Sequence, residues 1–275
     1  MEDNCKVFVV GNFKGGVGKT KLATMLAFDS ANIFEKKTLL IDLDPQANAS
    51  EILAKTGGIT EITKTITDGL AEGDLEPIIL PIMDNLDLIP CNTAFRNFPK
   101  FIYQNYPDDQ EAMMVISNLI APLREVYDYI YIDVPPTISD FSDNAMMAAD
   151  YSIIAFQTSQ ESLDGVRKYI GYQNFLAERH NANIQVVGIV ACMLKKESAI
   201  DRRIIEEAKE EYGNVVLDTI ITYQERIKGY SVDGIHLNMN KNGSYEQWDY
   251  RAHNTFIEII NELNANESLL ESEGE

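Results

Sequence analysis

Along this chain, short runs of apolar and β-branched residues alternate with longer stretches whose apolar positions recur three and four apart. KVFVVGN (6–12) reads as a strand and KTKLATMLAFDSANIF (19–34) as an amphipathic helix. TLLIDLD (38–44) is a second buried strand, and LDLIPC (86–91), YIYIDV (129–134), YSIIAF (151–156), IQVVGIVAC (184–192) and NVVLDTII (214–221) repeat the signal. Helices are expected near 109–126, 161–179, 198–212 and 245–263. Near-continuous apolar strands separated by helices predict a doubly wound α/β fold, a mostly parallel sheet with helices on both faces. No composition shift or repeat divides residues 1–263, which read as one domain. Residues 57–85, rich in Gly, Thr and Asp, read as a connection over the sheet edge. No Lys or Arg follows Arg251, and the acidic segment 264–275 is expected to be a disordered tail.

Composition narrows the class. Hydrophobic residues make up 45% and charged residues 24% of the 275 positions, as in a soluble globular protein. Cys5, Cys91 and Cys192 are far apart, with no C-x-x-C spacing, which argues against a disulfide framework and against a zinc or iron–sulfur site. The acidic N-terminus lacks the pattern of a signal peptide, and no run of apolar residues is long enough to span a membrane. A cytoplasmic location is expected. A formal net charge of −20 excludes a protein that coats nucleic acid over its whole surface, so any DNA contact must come from a local basic patch.

The candidate chemistry begins at NFKGGVGKTK (12–21), a glycine-rich turn between a strand and a helix. A phosphate-binding loop reads G-x-x-x-x-G-K-[ST], which puts the first glycine at position 13, where this chain has Phe13, followed by a second lysine, Lys14. Gly15, Gly16, Val17 and Gly18 bring backbone N–H groups toward phosphate oxygens at a helix N-terminus. Lys19 is expected on the β- and γ-phosphates and the Thr20 hydroxyl on Mg²⁺. In LLIDLDPQ, Asp42 and Asp44 stand at the carboxyl end of a strand, the edge where open α/β sheets bind ligands. There they can hold the water shell of Mg²⁺ or orient an attacking water. Asp133 ends YIYIDV in the same way, and burying its charge without a partner would cost several kcal/mol, so a metal accounts for it. Lys14 can lie against the same phosphates or reach a nucleotide in another subunit.

KGGVGKT (14–20) preceded by Asn12, DLDPQAN (42–48), YIYIDVPP (129–136) and the A-A-D of 148–150, in this order, resemble the deviant-loop P-loop ATPases, and within them the ParA-type DNA partition ATPases. The resemblance runs over about residues 6–260. It implies ATP and Mg²⁺ as ligands, with Asp44 positioning the hydrolytic water and Asp42 supporting Mg²⁺ or the loop. It also implies a face-to-face ATP-bound homodimer in which each Lys14 contacts the opposite nucleotide, a role like that of an arginine finger given in trans. Lys21 departs from the family, which commonly has Thr or Ser there. It points to solvent or supplies charge to the phosphates, and is counted with the nucleotide-binding residues.

The family contains DNA-binding, membrane-binding and metabolic members. The acidic C-terminus is unlike the basic membrane helix of MinD-type relatives, and the scattered cysteines are unlike those of nitrogenase-reductase-like and Mrp-like relatives. For DNA, the candidates are Lys195, Lys196, Arg202, Arg203, Arg226 and Lys228, although Arg202 and Arg203 equally suit a solvated helix face. The expected function is plasmid or other DNA partition. ATP would close a dimer on non-specific DNA, and hydrolysis, stimulated by a centromere-binding ParB-type partner, would release it. The alternatives are an ATP-switched regulator of a protein complex and a metabolic P-loop enzyme.

Overall fold

The computed structural model describes residues 5–194, 199–240 and 242–274. The apolar runs form Lys6–Gly11 (β1), Thr38–Asp42 (β2), Leu80–Met83 (β3), Leu86–Ile89 (β4), Tyr129–Asp133 (β5), Tyr151–Gln157 (β6), Gln185–Leu194 (β7) and Ile221–Thr222 (β8). They make one sheet in the order β3-β4-β2-β5-β1-β6-β7-β8. Every pairing is parallel except that of β3 with β4. Successive residues of β1 enter different cores. Val7 and Val9 pack on one side, Phe8 and Val10 on the other, so both faces of the strand are dry. That is why the parallel strands read as continuous apolar runs rather than as alternation.

The helices are Lys19–Asn32 (α1), Asn48–Thr56 (α2), Ile66–Glu72 (α3), Phe98–Asn105 (α4), Asp109–Met113 (α5), Val115–Ile120 (α6), Asp140–Ala148 (α7), Gln160–His180 (α8), Ala199–Tyr212 (α9), Glu225–Asp233 (α10) and Gln247–Gly274 (α11). Central strands β2, β5 and β1 are neighbours, and their registers pair Asp42 with Asp133 and Asp133 with Val10. Two carboxylates and the root of the glycine-rich loop therefore lie side by side at one sheet edge. Among the described residues, no helix is long and apolar enough to cross a membrane.

Four expectations change. The single helix over 109–126 is three short pieces: the first, capped by Asp108, stops at its C-cap Met114, the second ends at Ile120, and a 3-10 turn with Pro122 follows. The strand over 214–221 shrinks to the two residues of β8 and one bridge from Val216 to Ile189. There the N–H groups of Asp218 and Thr219 donate to the Glu262 carboxylate at 2.6 and 2.9 Å instead of to a strand. The connection 57–85 contains helix α3 and the antiparallel edge strand β3. The expected disordered tail continues α11 as far as Gly274, since buried Glu267 pairs with Lys6 at the start of β1 and Leu270 packs on the core.

Candidate nucleotide site

Between β1 and α1 the chain turns through Gly16 at φ 76° and Gly18 at φ 101°, left-handed conformations that glycine adopts without strain. Asn12, buried, ties the loop to β6: its Nδ2 donates to the Ala155 carbonyl at 2.8 Å and its Oδ1 accepts from the Lys14 N–H at 2.9 Å. Phe13 takes the place of the missing glycine and packs on Tyr169 and Tyr172 of α8, with ring centroids 5.0 and 5.6 Å away. The loop is thus held sideways by an aromatic contact. That contact requires Gly11, where a Cβ would come within 2.0 Å of the Tyr169 hydroxyl. Lys19, buried, donates to the Lys14 carbonyl at 3.4 Å, and the Lys14 ammonium lies 4.0 Å from Glu161 at the start of α8.

The acidic groups differ in how well they are satisfied. Asp42, fully buried, accepts from the Asp44 N–H at 3.0 Å and from the Ser50 N–H and hydroxyl at 2.9 and 2.7 Å. Burial pushes its carboxyl up to about 6 despite those donors. The Ser50 oxygen in turn accepts from the Cys91 N–H at 2.8 Å. Asp44, half-buried, accepts from the Gln46 N–H at 2.9 Å, an Asx turn that opens the way to α2. Asp133 is buried, and neither of its oxygens makes a hydrogen bond of full geometry among the described residues, although the Thr20 hydroxyl lies near enough to favour the charged form. Burial, with Asp42 alongside, drives its pKa well above the usual carboxylate range; Thr20 and Lys19 oppose the shift. Burial also lowers the Lys19 pKa, against the pull of Asp133 and Asp44.

Comparison with known proteins decides the family. An AAA-domain family model matches residues 5–186. An uncharacterized protein of Methanocaldococcus jannaschii is 32% identical over 223 residues, which cover 78% of this chain and 83% of that protein. Chromosome partitioning protein ParA of Myxococcus xanthus is 28% identical over 226 residues, covering 81% and 77% of the two chains. The chain belongs to the ParA/MinD family of P-loop ATPases. An ATP complex of a McdA variant from Cyanothece shares its fold, with a TM-score of 0.78 at 20% identity over 95% of this chain and 97% of that one.

For a P-loop ATPase the residues present fit Mg²⁺ and a triphosphate. An orphaned buried carboxylate faces a loop lysine, and the loop glycines sit at the N-terminus of a 14-residue helix. Sequence reading missed the next feature. A cavity of about 310 Å³ opens beside the loop, walled by Gly18, Lys21, Cys192, Ile221, Ile227 and Phe256. It is almost entirely apolar and continuous with the loop through Gly18. Lys21 is not a solvated loop lysine, because its ammonium donates to the Ile227 carbonyl of α10 at 2.9 Å.

Of the basic residues considered for DNA, Arg202 and Arg203 are exposed on α9 and Lys228 is exposed on α10. Lys195 and Lys196 lie outside the described residues. Arg226 departs from expectation: its guanidinium is held by the buried Asp249 and by Glu246, so it is a structural clamp between α10 and α11.

Proposed function

We propose that this ATPase is of the partition type, and that it alternates between an ATP-bound dimer on DNA and a released state. The observation that carries the nucleotide half of this reading is Asp133, buried and unpaired beside Lys19 and Thr20. In this reading Thr20, Asp133 and Asp42 would hold Mg²⁺, which would supply charge neutralisation at the phosphates. The N–H groups of residues 14–20 and the Lys19 ammonium hold the phosphates. Asp44 exchanges its hydrogen bond with Gln46 for the hydrolytic water. The apolar cavity beside Gly18 receives the base. Lys14, next to the exposed Glu161 in the single chain, reaches the nucleotide of a second copy. The Myxococcus relative, a chromosome partitioning protein, supports the assignment to partition.

DNA would be held through phosphate contacts of Arg202, Arg203 and Lys228, with no base reading. Fluorescence anisotropy with an arbitrary duplex, run without nucleotide, with ADP and with ATP, tests it. Binding is expected with ATP alone and should fall steeply as salt is raised. No ATP-dependent binding even at about 50 mM salt, where phosphate contacts are strongest, would exclude DNA as the partner. A second reading, an ATP-switched regulator of a protein complex, is favoured by the exposed Trp248 (64%) and Tyr250 (56%) at the start of α11. It predicts ATP-dependent dimerisation with no DNA binding in the same titration.

A further inference from the structure

We propose that Lys21 positions the base of the nucleotide without touching the phosphates, by fastening α10 to the loop helix. Resting on the nucleotide site described above, it gives this chain's departure from the family pattern a task. Lys21 stands in the first turn of α1, two residues beyond Lys19, yet the two lysines do different things. Lys19 turns back to the Lys14 carbonyl inside the loop. Lys21 reaches Ile227 in the first turn of α10. Both Lys21 and Ile227 line the apolar cavity next to Gly18, so one hydrogen bond joins two of its walls.

Helix α10 needs such a tie. It follows β8, a two-residue edge strand, and its N-cap residue Gln224 makes no side-chain capping bond. Its other polar anchors lie elsewhere. Lys55 of α2 donates to the Ser231 carbonyl at 3.1 Å, and Arg226 and Tyr230 hold Asp249 of α11. Without Lys21 those contacts still keep α10 on the fold, but no other polar contact among the described residues draws its first turn toward α1. The cavity would then widen on the side where the base lies. The ammonium is half-buried, and the Ile227 carbonyl at 2.9 Å holds it there against its own desolvation. Such a charge-assisted bond is among the stronger hydrogen bonds available to a half-buried side chain.

The test separates base from phosphate. Dissociation constants for MgATP and for magnesium tripolyphosphate, which has the phosphates but no base, are measured by calorimetry on the full chain and on Lys21→Met and Lys21→Arg. Lys21→Met is expected to weaken MgATP about tenfold, the loss of one charge-assisted hydrogen bond, and to leave tripolyphosphate within about twofold. Lys21→Arg keeps a charged donor and should stay within about threefold of the parent on both ligands. If Lys21→Met weakens both ligands equally, the lysine acts on the phosphates and the inference falls. It falls also if neither affinity moves, or if Lys21→Arg loses as much MgATP affinity as Lys21→Met. A parent chain that binds neither ligand would instead remove the nucleotide site itself, a different failure. Thermal melts of both variants show whether α10 remains folded.

Discussion

Two buried aspartates of this ATPase, Asp133 and Asp249, make an instructive pair. Asp133, at the sheet edge beside the phosphate loop, makes no hydrogen bond of full geometry through either oxygen among the described residues. Asp249, at the foot of α11, receives the Arg226 guanidinium, the Tyr230 hydroxyl at 3.1 Å and the Asn238 N–H at 2.9 Å. Burial raises the Asp133 pKa well above the ordinary range. Burial pushes Asp249 the same way, but Arg226, Asn238 and Tyr230 overcome it and hold the carboxyl down at about 2. One carboxylate lacks a full hydrogen-bond partner among the described residues, as the proposed Mg²⁺ site requires; the other is completed by the protein and serves stability. Burial alone does not distinguish a site from a clamp. Satisfaction does.

Neutralising each group breaks the comparison in opposite directions. Asp133→Asn should lower ATP turnover on the order of 10³-fold, because the charge facing Mg²⁺ is lost. The same substitution should stabilise the nucleotide-free chain by about 1 kcal/mol, since the cost of holding a buried carboxyl away from its ordinary ionisation disappears. Turnover at saturating MgATP and a denaturant melt without nucleotide give the two numbers. An Asp133→Asn chain that is both active and no more stable would mean that the carboxylate is already paired. Asp249→Ala leaves the Arg226 guanidinium without its buried partner, and a loss of about 3 kcal/mol of stability is expected. Turnover per folded molecule should change far less than in Asp133→Asn.

Acid titration sharpens the same contrast. The folded-state pKa of Asp249, about 2, lies below its ordinary value. The stabilisation is therefore complete above pH 4 and is lost as pH falls from about 4 to 2. Its size is on the order of 2 kcal/mol. Melts of the parent and of Asp249→Asn across that window should converge at the acid end. Curves that stay parallel would show that Arg226 does not depress this carboxyl in solution.

How much of this was legible depends on how far apart in sequence the partners lie. The loop, Asp42 and Asp133 each end or follow an apolar strand, with Asp44 two residues past Asp42, and a parallel sheet must bring such strand ends to one edge. Phe13 was legible only as an anomaly, because its ring partners Tyr169 and Tyr172 are on a distant helix. The Lys21 tie to α10 carries no local sign in the sequence, since its acceptor, the Ile227 carbonyl, is 206 residues away. Arg226 looked like a free surface cation for the same kind of reason: a basic residue in a short polar helix carries no local sign that a buried carboxylate awaits it on the next one. The tail looked disordered because its acidity suggested full solvation, whereas Glu267 finds Lys6 at the other end of the chain. The shortened β8 depends on Glu262 taking two backbone N–H groups, a long-range choice that strand propensity does not record.

Between the two extremes stands Asp42, fully buried but only half compensated, with a pKa pushed up to about 6. Ser50 decides where on the scale it falls. Its hydroxyl donates to Asp42 at 2.7 Å, and its oxygen accepts the Cys91 N–H at 2.8 Å. Ser50→Ala removes both bonds with little change of volume and leaves a buried N–H without a partner, a loss of about 1–2 kcal/mol. It also moves Asp42 toward the unsatisfied state of Asp133. The Asp44 loop is attached to Asp42 through the Asp44 N–H, so a change at Ser50 should reach the position of Asp44. The expected outcome is a modest fall in stability with a drop in turnover of about tenfold at unchanged MgATP affinity, much smaller than for Asp133→Asn. Stability that falls while turnover stays at the parent value would make Ser50 a purely structural neighbour and return Asp42 to the same class as Asp249.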